Sequence, residues 1–216
     1  MTRLLAVETS GSVCSAAVSV DGALLSSIEI LKANVHDAML SRCVRDALEH
    51  AGATINDIDI VALSSGPGSF TGLRIGASFV KGLCFNDSPR FLPVPTLTSL
   101  MYASKEVATL GSMKWITAIV ASHRDLYYVA NCAIDDDMFN PTVELLTAED
   151  VRVRILPETL VVGPAAPLFA PAPISGLTRL SARFVSYAAW YLLNANCPFY
   201  EAATFVPDYG QEFTPL

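Results

Sequence analysis

The chain opens on an apolar run, Leu4 to Val7, that ends at Glu8. An Ala- and Val-rich stretch from Cys14 to Val20 and a third apolar stretch from Ala23 to Ile30 follow. Asp21-Gly22 between the last two is a hairpin signal, so the pattern predicts an antiparallel meander at the start of the fold. Apolar residues then recur at helical spacing, at Met39, Leu40, Cys43, Val44, Ala47, Leu48 and Ala51. This predicts an amphipathic helix, with Asn34 as its cap and Gly52 at its end. Ile58 to Leu63 reads as a short strand, a glycine-rich loop follows, and Leu73 to Phe85 reads as a second helix. Phe91 to Val94 and Thr96 to Val107 add a strand and a third helix. The resulting order, βββαβαβα, places parallel strands beside an antiparallel hairpin and so predicts a mixed sheet.

Near Gly111 the pattern restarts. An apolar strand from Trp115 to Ala121, a polar turn Ser122-His123-Arg124-Asp125 and an alternating strand from Leu126 to Ile134 echo the opening of the chain, without residue identity. The echo predicts two related lobes, residues 1–108 and a smaller lobe over 109–216. The second lobe reads as a short helix at Glu149 to Arg154, a strand at Thr159 to Gly163, a proline-rich connection from Pro164 to Ile174, a helix at Phe184 to Asn194, and a tail without regular pattern from Pro198. Asp135-Asp136-Asp137 reads as a solvated loop.

Composition sharpens this picture. Of 216 residues, 52% are hydrophobic and only 16% charged, against about a quarter charged in an ordinary soluble domain. The longest charge-free run, Thr159 to Thr178, carries Pro164, Pro167, Pro171 and Pro173, which would break a membrane-spanning helix. The surplus apolar surface is therefore expected in a sheet covered on both faces or against another subunit. Fourteen basic against 21 acidic residues leave a formal charge of -7, which argues against this chain holding nucleic acid by itself. The first apolar run is too short for a signal peptide and no lipidation motif is seen, so a cytoplasmic location is expected. The five cysteines form no C-x-x-C pair and are expected as reduced core residues.

Two places could carry chemistry. The loop Gly66-Pro67-Gly68-Ser69-Phe70-Thr71-Gly72 leads into a helix and could offer backbone N–H groups to an anion. It has no following Gly-Lys-Ser/Thr, and Thr71 stands where a dinucleotide fingerprint needs its last glycine. The other reading is packing: Gly68, Gly72 and Gly76, spaced by four, form a stripe that lets the helix lie close to a neighbouring backbone. Arg74, Ser78 and Lys81 share one face of that helix. At the end of the first strand Glu8, followed by Thr9 and Ser10, is placed either to face a cleft or to bond its own turn. His36, His50 and His123 include no helical metal pair, and each reads as a surface or satisfied core residue.

Leu4-Leu5-Ala6-Val7-Glu8-Thr9-Ser10 and the stretch Ser65 to Gly76 together resemble the TsaB (YeaZ) family, over about Leu4 to Leu100 and more loosely to the C-terminus. The resemblance implies an α/β actin-like ASKHA fold of two ribonuclease-H-like lobes with mixed sheets. It implies an accessory subunit that pairs with the homologous TsaD and acts with the ATPase TsaE. TsaD transfers a threonylcarbamoyl group to the adenosine beside the anticodon of certain tRNAs. tRNA would be met only through the complex, the isolated chain would form a homodimer, no cofactor would be bound by this chain alone, and ATP or ADP at the complex interface stays open. The partner surface carried over is the helix His36 to Ala51 and the helix Gly72 to Phe85, with Leu40, Val44, Ile75, Phe79 and Leu83 as apolar contacts and Arg74 as the polar one. Where TsaD has an H-x-x-x-H metal pair this chain reads Thr96-Leu97-Thr98-Ser99-Leu100, and where it has an acid after the first strand this chain has Ser12. Neither hydroxyl nor isobutyl replaces an imidazole at a divalent metal. The alternatives are a stand-alone actin-like kinase or hydrolase, with Glu8 as its acid and Gly66, Gly68, Ser69, Thr71 and Gly72 at the phosphate, or an M22-like peptidase. Two departures fall in the second lobe and tail: Val120-Ala121-Ser122 in place of Asp-Ala-Arg, and Tyr209-Gly210-Gln211 in place of Tyr-x-Arg.

Overall fold

The structure is a computed structural model and describes residues 1–86, 88–135 and 141–210. The opening meander forms as expected: β1 (Arg3–Glu8), β2 (Cys14–Val20) and β3 (Ala23–Ile30) pair antiparallel in turn. Asp21 and Gly22 both adopt positive φ, 47° and 89°, the backbone that a two-residue hairpin requires. The first helix, α1 (His36–His50), is not capped by Asn34. Asn34 itself takes a positive φ, Val35 occupies the cap position and makes no side-chain cap bond there. After β4 (Ile60–Ser64), α2 (Phe70–Leu83) starts three residues earlier than its apolar pattern does, because Ser69 caps it by accepting from Gly72 N–H. Next come β5 (Arg90–Val94) and α3 (Thr96–Leu110).

The second half repeats the scheme with β6 (Trp115–Ala121), β7 (Leu126–Ala133), β8 (Val143–Thr147), α4 (Ala148–Arg154), β9 (Thr159–Val162) and α5 (Ala182–Asn194). The hydrophobic pattern does not predict the strand β8, since its five residues alternate between exposed and half-buried at a sheet edge. Asp136, Asp137 and Gln211 lie outside the described residues. The first sheet runs β3-β2-β1-β4-β5 and the second β8-β7-β6-β9. Antiparallel and parallel pairings recur in the same places, β6 with β7 and β9 as β1 with β2 and β4. This is the ribonuclease-H-like scheme repeated, one strand shorter the second time, and the two lobes together make an actin-like fold.

The charge-poor composition is accounted for by burial on both faces of the first sheet. Leu5, Val7, Val18, Val61 and Leu63 pack with α1 and α2. The alternate residues Leu4, Ala6, Ala17, Ile60 and Ala62 pack with Val185, Ala188, Ala189 and Leu192 of α5. Polar bonds orient that helix: Ser19 Oγ lies 2.8 Å from Ser186 Oγ and accepts from Trp190 Nε1 at 2.7 Å, and Ala182 N–H donates to Ser15 Oγ at 2.9 Å. In return α3, from the first half of the chain, covers the second sheet through Leu97, Leu100 and Met101 against Ile116, Ala118 and Leu160. Each lobe thus borrows a helix from the other half. The cysteines are reduced, and all but Cys197 are buried. Among the described residues no helix is long and apolar enough to cross a membrane.

Candidate functional site

The site begins where β1 ends. Glu8 is completely buried, and its Oε1 accepts from Ser10 N–H at 2.5 Å and from Ser10 Oγ at 2.6 Å. Burial raises the carboxyl above its ordinary value. The two Ser10 bonds oppose that rise, and the Ser64 hydroxyl opposes it more weakly without reaching hydrogen-bond geometry. Glu8 therefore bonds its own turn. The expectation that it faces a cleft as an acid is corrected, because no oxygen of this carboxylate reaches solvent.

The same turn receives α2. Ser10 O accepts from Ser69 N–H at 2.7 Å. A Cβ on Gly68 would meet that carbonyl oxygen at 2.5 Å, one on Gly72 would meet Thr9 O at 1.9 Å, and one on Gly76 would meet Thr9 Oγ1 at 2.3 Å. The glycine stripe is a close-packing surface that lays α2 against Thr9 and Ser10. Gly66 is closed off as well, since a Cβ there would fall 1.9 Å from the carbonyl oxygen of Asp208. The start of α3 completes the cluster: Thr96 N–H donates to Gly66 O at 2.8 Å, and Thr96 Oγ1 donates to Ser10 Oγ at 3.3 Å.

Beyond this cluster a cleft of about 1080 Å³ opens between the lobes. Of the residues expected near a nucleotide, Ser10, Gly68, Ser69, Thr71 and Gly72 line it, whereas Glu8, Thr9 and Gly66 are sealed behind it. Its remaining walls include Asn34, His36 and Asp37 from the start of α1, Ser122 and His123 from the second lobe's turn, and the rings of Phe70, Tyr128 and Tyr209. Among these described lining residues none is Lys or Arg, so hydroxyls, rings and one carboxylate set the chemistry. His36 is nearly buried with Nε2 3.3 Å from Val13 O, a satisfied core histidine as expected, while His50 and His123 are exposed. The resemblance singles out Tyr209 in the tail, but a tail without periodicity gives no sign that its ring reaches the cleft. The ring of Phe70 would have been found by extending α2 back to a Ser69 cap.

The residues expected on a partner surface divide. Leu40 and Val44, at 2% and 4% exposure, pack into the lobe's own core between α1 and the sheet. They are corrected from partner contacts to core residues: the apolar stripe of α1 is used up on β2 and β3. Ile75, Phe79 and Leu83 on α2 are only half-buried, and Arg74 is exposed with its guanidinium 4.1 Å over the Phe70 ring.

Residues 30–149 match the family model described as TsaD, tRNA N6-adenosine threonylcarbamoyltransferase. The chain is 31% identical over 125 residues to the tRNA threonylcarbamoyladenosine biosynthesis protein TsaB of Haemophilus influenzae, covering 58% of this chain and 52% of that one. It is 31% identical over 126 residues to the Escherichia coli protein of the same description, covering 58% and 53%. It spans about half the length of these relatives. A solved structure from Pseudomonas aeruginosa, described as an uncharacterized protein with similarity to peptidase YEAZ, superposes with a TM-score of 0.75 at 24% identity over 96% of this chain and 98% of that one. That likeness speaks for the fold. With more than half of its residues inside the family model, the chain belongs to the TsaD family, and within it stands with the TsaB (YeaZ) proteins.

Proposed function

We propose that this chain is a non-catalytic docking subunit in tRNA threonylcarbamoyladenosine synthesis, pairing through α2 with a TsaD homologue and acting in the cytoplasm with a TsaE-type ATPase. The observation that carries the reading is the outward side of α2. Ile75, Phe79 and Leu83, packed at the margin of the lobe's core, stay half-buried beside an exposed Arg74. Such a mixture of apolar contact and arginine suits a protein interface. The site chemistry supports the non-catalytic part. Thr96 and Leu100, where the resemblance places the metal histidines of TsaD, are both fully buried, the threonine bonded to Gly66 and Ser10 and the leucine packed in the second lobe's core. A kinase or hydrolase using Glu8 is disfavoured by the sealing of that carboxylate. A homodimer of the isolated protein through the same face of α2 is the companion proposal.

Reconstitution with a TsaD homologue, a TsaE-type ATPase and substrate tRNA tests it. Modification should require this chain together with the TsaD homologue. Modification by this chain alone would end the reading.

A further inference from the structure

The chain after α5 runs back across the molecule as a strap. Tyr200 N–H donates to Phe91 O at 3.0 Å on the edge strand β5, and the Phe205 ring meets the Phe91 ring edge-on at 4.9 Å. Asp208 N–H donates to Ser65 O at 2.8 Å in the glycine loop. The Tyr209 carbonyl then accepts from the hydroxyl of Tyr128, on β7 of the second lobe, at 3.0 Å. Gly66 permits the crossing, with its φ of +112° and no side chain in the path of Asp208 O. Gly210 N–H donates to Asp208 Oδ1 at 2.7 Å and closes a turn around Tyr209. This turn brings the Tyr209 ring within 4.8 Å of the Phe70 ring, and the Arg74 guanidinium lies 4.1 Å over Phe70 and 6.0 Å from the Tyr209 ring. Among the described residues Arg74 has no ion pair.

We infer that Tyr209 is a positioning residue, part of a two-ring seat that holds the Arg74 guanidinium in place for a carboxylate of the protein that docks on α2. The inference rests on the docking reading above and names the partner group and the device that aims at it. An arginine held on rings has already given up part of its rotamer freedom, so less is lost when it binds. Phe79 and Leu83 of the same helix are half-buried and apolar and lie outside the cleft lining, so a surface that covers them together with Arg74 belongs to a protein, whose anionic group matching a planar guanidinium is a carboxylate. Because Tyr209 is bonded to Tyr128, the seat is complete only while the strap joins the lobes. The second lobe and the cleft it lines are thereby coupled to the docking face.

Two measurements separate this device from the docking reading. In the isolated protein, the Arg74 Nε–Hε proton should resonate upfield of an exposed arginine through ring currents. Tyr209→Phe should preserve that signal and Tyr209→Ala should move it toward the exposed value. Tyr128→Phe, which keeps its ring but drops the bond to the strap, should move it partway without unfolding the chain. In binding to the TsaD homologue, Arg74→Ala should weaken affinity about tenfold, in the range of an interface arginine. Tyr209→Ala should weaken it about threefold with Arg74 present and leave it unchanged in an Arg74→Ala background. Losses that simply add, or an Arg74 signal indifferent to Tyr209→Ala and Tyr128→Phe, overturn the inference. An intact signal response with no partner binding would instead remove the docking reading and keep the seat.

Discussion

Placing an alanine at Gly72 tests the packing of α2 against the first turn. An added Cβ would sit 1.9 Å from Thr9 O, where ordinary contact needs about 3.4 Å, so helix and turn would have to separate by about 1.5 Å. The obstacle is backbone and cannot rotate away. Parting the two would also stretch the bond from Ser69 N–H to Ser10 O and disturb the Ser10 bonds to Glu8. Overpacking of this kind costs about 1–3 kcal/mol, and damage to a buried polar network adds to it. Gly82 in the same helix is the internal control, because a Cβ there meets nothing within 4 Å. Gly82→Ala should gain about 0.5–1 kcal/mol from helix propensity alone. Gly76→Ala should fall between them, its nearest obstacles being the side-chain atoms Thr9 Oγ1 and Leu63 Cδ1. Urea unfolding followed by circular dichroism reads all three, and each kcal/mol corresponds to about 2–4 °C in Tm for a chain of this size. A Gly72→Ala protein as stable as Gly82→Ala would refute the close-packing reading of the stripe.

Glu8→Gln should change the pH dependence of stability. The folded carboxyl is raised by burial, so its contribution is full below the unfolded value of about 4.3 and is lost as pH rises through the folded value. The glutamine variant lacks this loss and should gain on the wild type as pH rises above the unfolded value, whereas parallel stability curves would contradict the assignment. Leu40→Ala should cost about 2–5 kcal/mol of stability as a core cavity. Phe79→Glu, at a half-buried position, should instead act mainly on association, separable by sedimentation against thermal unfolding. Thiol labelling of the native protein should reach Cys197 first, because Cys14, Cys43, Cys84 and Cys132 are buried and burial pushes the Cys84 thiol up to about 11. Faster labelling of Cys84 would contradict the packing described for α2.

Most of the backbone order follows from local pattern along the chain. Periods of two and of 3.6 residues are local properties, so β1 to β3, α1 and α2 could be read from Leu4 to Phe85, and the restart at Trp115 disclosed the second lobe. The edge strand β8 escaped because five residues with a weak alternation carry little pattern. Periodicity also says that one face of a helix is apolar without saying what covers it. That Leu40 and Val44 of α1 face their own sheet while Ile75 and Phe79 of α2 remain half-open depends on how distant segments pack. The same limit applies to the glycine loop, whose spacing fits either an anion or a close backbone. The choice came from the approach of Thr9 and Ser10, distant in sequence and adjacent in space. The exchange of α3 and α5 between the lobes, and the strap that carries Tyr209 to Arg74, depend wholly on contacts between residues far apart in the chain, and such contacts leave no local signature to read.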